Sequence, residues 1–180
     1  MKPSSRCGGP TWDVAVRLAH WLLAALVVLA YFLDDGGPRH RLLGYWAAGV
    51  VMARLLWATM TRGSGSLAAL KLSIRGTLAY LRAGAPRRIA HDPLGLWMVW
   101  FVWLLVILLA LTGWLSRLDM FWGDERVHEI HAWIAHVLMG AAALHVLGVV
   151  VMSYRWRENL ALAMLSGRKR RADLDDTPSK

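Results

Sequence analysis

The chain is poor in cysteine and in charged residues. Cys7 is its single cysteine, which excludes a disulfide within the chain and an iron–sulfur cluster held by this chain alone, since such clusters need several thiolates. Charged residues make up 18% of the 180 residues and hydrophobic residues 57%, with a mean hydropathy of +0.39. Soluble domains carry more charge and fewer long apolar runs. The composition therefore indicates a single integral membrane domain.

A cleavable signal peptide is not expected. Residues 1–11 are polar and rich in Gly and Pro, and the apolar run that follows continues to Leu33. This run is too long for the core of a signal peptide. We therefore expect it to remain in the protein as the first membrane-spanning helix.

Four long apolar segments predict an all-α fold, a four-helix transmembrane bundle. Each is close to the roughly 20 residues that a span requires. The predicted helices cover about 14–33, 41–61, 94–116 and 129–154. Between the second and third, residues 67–83 alternate apolar and basic residues at helical spacing, which predicts an additional amphipathic interfacial helix in the cytoplasmic loop. The membrane domain is expected to cover 1–166, and a basic, then acidic tail to follow at 167–180.

The positions of the basic residues predict the orientation in the membrane. Of the 21 Lys and Arg residues, 16 lie in the N-terminus, the loop between the second and third spans, and the C-terminal tail. The other two loops hold Arg39, Arg41, Arg117 and Arg126. The positive-inside rule then puts both termini in the cytoplasm. The net charge of +9 is thus explained by topology and contacts with lipid headgroups, and nucleic acid binding is not expected.

Four histidines lie at or near the ends of the predicted spans. In this orientation His20 and His145 are near the cytoplasmic face, and His40 and His131 are near the outer face. The 14 residues from His131 to His145 return to within about 40° of the same helix face and cover about 21 Å along the axis. Depth alone therefore pairs His20 with His145 and His40 with His131.

Paired imidazoles at two depths predict two b-type haems. A neutral imidazole nitrogen is a good ligand for haem iron, and two of them fill both axial positions. Such a centre suits electron transfer rather than oxygen activation. The remaining histidines fit less well, because His136 points about 140° away from His131 and His91 is in the cytoplasmic loop. His128 is only about 60° from the direction of His131, so it is an alternative ligand if the last helix begins earlier.

Three further residues are predicted to contact the haems. Gly44 follows His40 by one helical turn, where a side chain would collide with a ring bound at His40. Arg54 lies 14 residues after His40, on the same face but near the cytoplasmic side, so it is a candidate partner for the propionates of the inner haem. Arg17, one turn before His20, is a second candidate. Both arginines could instead extend to the lipid headgroups.

Several motifs together resemble a known family. They are WDVAVRLAHW at 12–21, H-x-x-x-G at 40–44, RLLW at 54–57, HDPLG at 91–95, IHAWIAHVLMGAAALHVLGVV at 130–150 and ENLALAMLSGRKR at 158–170. This ordered set resembles the bacterial di-haem cytochrome b proteins, which include the b-type cytochrome subunits of nickel–iron hydrogenases and the bacterial cytochrome b-561 group. The resemblance covers residues 12–171.

The resemblance implies both cofactors and partners. Family members are four-helix membrane proteins with two b haems, whose ligands would fall on His20, His40, His131 and His145. They pass electrons between the quinone pool of the respiratory chain and a separate redox protein, such as a hydrogenase, a dehydrogenase or a c-type cytochrome, often on the periplasmic side. Whether the chain forms a homodimer is left open.

Two other functions compete with simple electron transfer. One is superoxide oxidation at the outer haem with quinone as the acceptor, for which Arg39, Arg41 and Arg126 could attract the anion, although acidic neighbours oppose this. The other is a haem-free transporter or scaffold whose histidines bind a transition metal or protons. Zinc would need three or four clustered ligands, so histidines divided between two depths argue against a single site of that kind.

Overall fold

The computed structural model describes residues 13–33, 36–62, 66–84 and 93–167. Within these ranges the chain is helical and has no strand. Cys7, Asp34, Asp35, His91 and Asp92 lie outside the described residues, as does the predicted tail apart from Gly167.

The described part of the chain contains six α-helices and two short 3₁₀ turns. The helices are α1 (Val14–Phe32), α2 (Pro38–Met60), α3 (Ile74–Arg82), α4 (Pro93–Leu115), α5 (Glu125–Arg155) and α6 (Leu160–Ser166). The 3₁₀ turns are Leu67–Leu70 and Asp119–Phe121. Four of the helices, α1, α2, α4 and α5, are long and apolar enough to cross a membrane. The predicted all-α fold with four spanning helices is therefore confirmed.

Local signals explain where the long helices begin. The Asp13 carboxylate accepts a hydrogen bond from the amide of Ala15 at the start of α1, and Pro38 is the first residue of α2, where its missing N–H costs nothing. The Asp124 carboxylate caps α5 by accepting from the amide of Arg126. Because of this cap, α5 begins four residues before the start that was predicted from the apolar pattern.

The predicted interfacial helix is divided in two. Residues 71–73 are not helical and separate the 3₁₀ turn Leu67–Leu70 from α3, and the Ser73 hydroxyl caps α3 by accepting from the amide of Gly76. Two indoles of α4 hold this segment. Trp100 Nε1 donates to the carbonyl of Leu70 at 2.9 Å, and Trp97 Nε1 donates to Thr77 Oγ1 at 3.2 Å.

The packed core lies between α2, α4 and α5. It contains Ala47, Val51 and Ala58 of α2, Leu96, Trp103, Leu105 and Val106 of α4, and Leu138 and Ala141 of α5. In contrast, α1 has no fully buried residue and packs mainly on α2. The first helix is thus an outer member of the bundle, and α5 is held in place by α4.

A short helix at the end of the described chain returns to α1. The Asn159 side chain caps the N-terminus of α6, and Gly167 ends the helix with φ at +76°. The Arg17 guanidinium donates to the carbonyl of Met164 at 3.0 Å and to that of Leu165. It therefore satisfies the last carbonyls of α6, which have no partner within the helix.

We expect Gly167→Ala to destabilise the protein by about 1–2 kcal/mol, the usual cost of a left-handed backbone for an L residue. An added Cβ would also lie 2.6 Å from Nη1 of Arg17. The measurement is the apparent melting temperature in detergent, with Gly49→Ala as control, because a Cβ there meets nothing within 4 Å among the described residues. Equal melting temperatures for the two variants would contradict the role assigned to this helix end.

Candidate functional site

Two pairs of histidine rings lie close together between helices, tilted by 58° and 66° to each other. The rings of His20 on α1 and His145 on α5 have centroids 6.2 Å apart. Those of His40 on α2 and His131 on α5 are 6.0 Å apart. The structure thus brings together the same two pairs that depth in the membrane predicted, and α5 contributes one ring to each.

The distance between the rings suits a metal ion held between two imidazole nitrogens. Typical imidazole nitrogen–metal bonds are about 2.0–2.1 Å long, and an imidazole ring with ordinary bond lengths has a radius of about 1.1 Å. A metal bound in line between two rings therefore separates their centroids by about 6.3 Å. Both observed separations are close to this value.

A cleft lies beside the His40–His131 pair. The empty space along it is about 520 Å³, part of which is open to the outside of the bundle. Its walls are almost entirely apolar, with Val27 and Ala30 on one side and Val106 and Leu138 among the residues on the other. The cleft therefore suits a flat, largely apolar ligand that lies against the two imidazoles.

Gly44 lines this cleft next to His40. A Cβ built at Gly44 meets no atom within 4 Å among the described residues. Since Gly44 lines the cleft, the space that a side chain there would take is part of it.

Hydrogen bonds determine which ring nitrogen of His40 can bind a metal. Its Nδ1 lies 2.9 Å from the carbonyl oxygen of Ala30 and 2.8 Å from that of Leu33. Carbonyl oxygens only accept hydrogen bonds, so Nδ1 carries the proton and donates it. Nε2 is then left with a free lone pair, which is the form of imidazole that ligates metals.

The other pair has different surroundings. Nδ1 of His20 is buried and has no hydrogen-bond partner among the described residues. The ring also makes an edge contact with Trp21, with centroids 5.1 Å apart. The imidazole of His20 is thus held by packing rather than by a hydrogen bond from Nδ1.

A buried arginine lies on α2, near the end of this helix that the charge pattern predicts to be cytoplasmic. Arg54 is only 7% exposed, and its Nη1 has no hydrogen-bond partner within the part of the chain that the structure describes. The carboxylate of Asp13 is near enough to act on it electrostatically. A buried guanidinium normally has partners for its donors, so the free Nη1 is suited to an anionic group.

The remaining predicted residues lie elsewhere. Arg17 donates to the last carbonyls of α6 rather than facing an open anion site. His136 bonds through Nδ1 to the carbonyl of Ala132 in its own helix at 2.7 Å, and its ring contacts Tyr31. His128 lies in the first turn of α5, and the ring that meets His40 is that of His131.

Two residues of α4 also belong to the site, and sequence reasoning missed them. Thr112 Oγ1 lies 2.8 Å from Nδ1 of His131. A Cβ on Gly113 would lie 3.4 Å from Cε1 of His131, so the ring rests almost on the backbone of α4. The available signal is the pair Thr–Gly near the end of an otherwise apolar span.

Among the described residues, no three His, Cys, Asp or Glu side chains lie close enough to hold a metal ion. A haem needs only two protein ligands, because the porphyrin supplies four nitrogens. The two histidine pairs, the apolar cleft and the buried cation are therefore features that would suit bound haem.

The family model for prokaryotic cytochrome b561 matches residues 11–167. This chain belongs to that family. The resemblance found from the sequence motifs is thus confirmed, and the chain is a membrane b-type cytochrome that binds b-type haem and transfers electrons. No curated protein and no solved structure gives a significant match.

We expect Gly44→Leu to lower the amount of b-type haem bound by this cytochrome, because the leucine side chain would occupy the cleft. Gly49→Leu is the matched control, since position 49 is on the same helix and exposed on the outside of the bundle. Haem is measured per chain from the pyridine haemochrome spectrum of the purified variants. Equal haem content in the two variants would contradict the assignment of the cleft.

Proposed function

We propose that this cytochrome b561 holds two b haems, one between His20 and His145 and one between His40 and His131. It would carry electrons between membrane quinone and a separate redox protein. The proposal rests on the two histidine pairs. In each pair the ring centroids are about 6 Å apart, and one ring of each pair lies on α5, at two different positions along that membrane-spanning helix.

The spacing on α5 supports transfer across the membrane. His131 and His145 are 14 residues apart, or about 21 Å along the helix axis, which is most of a hydrocarbon core about 30 Å thick. One redox centre would therefore lie toward each membrane surface. His131 and His145 would then hold one redox group toward each surface, which is the placement that electron transfer across the membrane needs.

The ligand set supports electron transfer rather than reaction at the iron. A haem iron with imidazoles on both sides takes up and releases single electrons and has no open position for a substrate. The histidines would hold the two haems in fixed positions. The carbonyls of Ala30 and Leu33 would fix the orientation of the His40 ring through Nδ1, as such outer hydrogen bonds do in metal sites.

Arg54 supports a haem at the His20–His145 pair. Its Nη1 is buried without a hydrogen-bond partner among the described residues, and it lies 14 residues, or about 21 Å, beyond His40 along α2. This is the depth expected of the inner haem. A propionate at this place would satisfy the free donor and neutralise the buried charge.

The proposed orientation rests on the distribution of charge. Of 21 basic residues, 16 lie in the segments that the positive-inside rule assigns to the cytoplasm. Both termini would be cytoplasmic in a bacterial inner membrane, and His40 and His131 would lie toward the periplasm. A redox partner would then meet the protein at the end where α1 and α2 are connected.

We expect the purified protein to show the dithionite-reduced bands of low-spin b haem, with about two haems per chain. His145→Ala and His131→Ala should each reduce this to about one, because each removes a histidine that would hold a different haem. His136→Ala, on the same helix, should keep both. Haem content and the reduced-minus-oxidised spectrum are the measurements.

The ligand proposal is wrong if His131→Ala and His145→Ala both retain two haems with unchanged spectra. Superoxide-dependent reduction of quinone by the isolated protein, without a partner protein, would favour the superoxide alternative. Reduction that requires a partner protein would favour simple electron carriage.

We expect Arg54→Leu to lower the midpoint potential of the haem that His145→Ala removes. A positive charge favours the reduced iron, and a unit charge at about 10 Å with an effective dielectric constant near 20 corresponds to about 1.7 kcal/mol, or on the order of 70 mV. Arg54→Lys keeps the charge and should shift the potential much less. A spectroscopic redox titration that finds equal potentials in both variants would contradict a role for this charge.

A further inference from the structure

Thr112 is a buried hydroxyl in the most apolar of the four spanning helices. It is 9% exposed, and its Oγ1 has three polar neighbours. These are the carbonyl oxygens of Leu108 at 2.9 Å and Leu109 at 3.2 Å, and Nδ1 of His131 at 2.8 Å. A threonine that only satisfied itself within its helix would need no contact with an imidazole on another helix.

The chemistry of these groups gives each hydrogen bond a direction. The hydroxyl has one proton, and the two carbonyls can only accept. If that proton goes to the carbonyl of Leu108, as threonine hydroxyls in helices commonly do, Oγ1 is left to accept from Nδ1–H of His131. The proton of the imidazole is then on Nδ1, and Nε2 has the free lone pair.

We propose that Thr112 is a positioning residue for His131. The chain of hydrogen bonds from His131 Nδ1–H to the Thr112 hydroxyl and on to the carbonyl of Leu108 fixes the ring in the tautomer that ligates through Nε2. It also makes the imidazole a stronger electron donor, because hydrogen bonding at the remote nitrogen raises the basicity of the ligating one. This inference rests on the proposed function of His131 as a haem ligand.

Gly113 supports the same arrangement from the neighbouring position. A Cβ at Gly113 would be 3.4 Å from Cε1 and 3.8 Å from Nδ1 of His131. The ring therefore lies directly over the backbone of α4, which brings Nδ1 within reach of Thr112. The hydroxyl limits rotation of the ring, and the helix backbone limits its displacement toward α4.

Both rings of the His40–His131 pair have a hydrogen-bond partner for Nδ1, which His20 lacks in the described part of the chain. Nδ1 of His40 has carbonyl acceptors, and Nδ1 of His131 has the Thr112 hydroxyl. Nδ1 of His20 is buried with no such partner among the described residues. The effect of Thr112 should therefore be confined to the haem of the His40–His131 pair.

The test compares Thr112→Val, which has nearly the same shape without a hydroxyl, with Thr112→Ser, which keeps the hydroxyl. A more electron-donating ligand favours the oxidised iron, so Thr112→Val should raise the midpoint potential of one haem and leave the other unchanged. That haem should also pass to excess apomyoglobin about ten-fold faster, in line with the usual 10- to 100-fold effect of such outer residues. Thr112→Ser should retain the parent values.

Thr59→Val is the matched control. Thr59 also donates to a carbonyl of its own helix, that of Leu56 at 2.7 Å, and no hydrogen bond joins it to a histidine among the described residues. It should change neither potential. If Thr112→Val prevents haem binding altogether, the midpoint potentials of Thr112→Ala are measured instead. A raised potential of one haem would then support the inference, and two unchanged potentials would contradict it.

Unchanged potentials and transfer rates in Thr112→Val would overturn the inference. A shift in the haem that His145→Ala removes, rather than in the one that His131→Ala removes, would overturn it equally. Failure of the ligand assignment itself gives a different result, because His131→Ala would then retain both haems whatever Thr112 does.

Discussion

The other features of the site depend on one interaction, the close approach of two imidazoles from different helices. α5 supplies one ring to each pair, and α1 and α2 supply the partners. Since α1 has no fully buried residue of its own, apolar packing alone does not fix its distance from α5. A cofactor bound by both rings would link these helices. Cofactor binding and assembly of the bundle would then stabilise each other, as metal binding and folding do in other proteins.

The core between α2, α4 and α5 provides the rigid frame for these pairs. Small residues of α2, such as Ala47 and Ala58, allow close approach to α4, as small residues do in membrane helix packing. α4 in turn packs along α5 and carries Thr112 and Gly113 beneath His131. The helix without a predicted ligand therefore contributes to the site, because Thr112 and Gly113 contact the ring of His131, the proposed ligand on its neighbour.

The sequence alone predicts the spans and the histidine pairs because both follow from distances along the chain. Apolar length determines a span, and residue number along a helix determines depth. Contacts that depend on how one helix is rotated against another cannot be obtained in this way, and the bond from Thr112 to His131 is such a contact. α6 was missed for a different reason. Seven residues are too few for a periodic signal, although Asn159 and Gly167 mark its two ends. The hydrogen bonds from Arg17 to the carbonyls of α6 were missed for the same reason.

The two histidine pairs differ in the groups around them, and the difference would affect how readily a metal bound at each pair is reduced. At one pair, Nδ1 of His40 and of His131 has a hydrogen-bond acceptor, which favours the more positive state of a bound metal. At the other pair, Nδ1 of His20 has no such acceptor among the described residues. Arg54, which the proposed function assigns to the propionates of that haem, is buried on α2, and its positive charge would favour the less positive state. Both effects act in the same sense. If haems bind at both pairs as proposed, these side chains would favour the added electron at the His20–His145 pair.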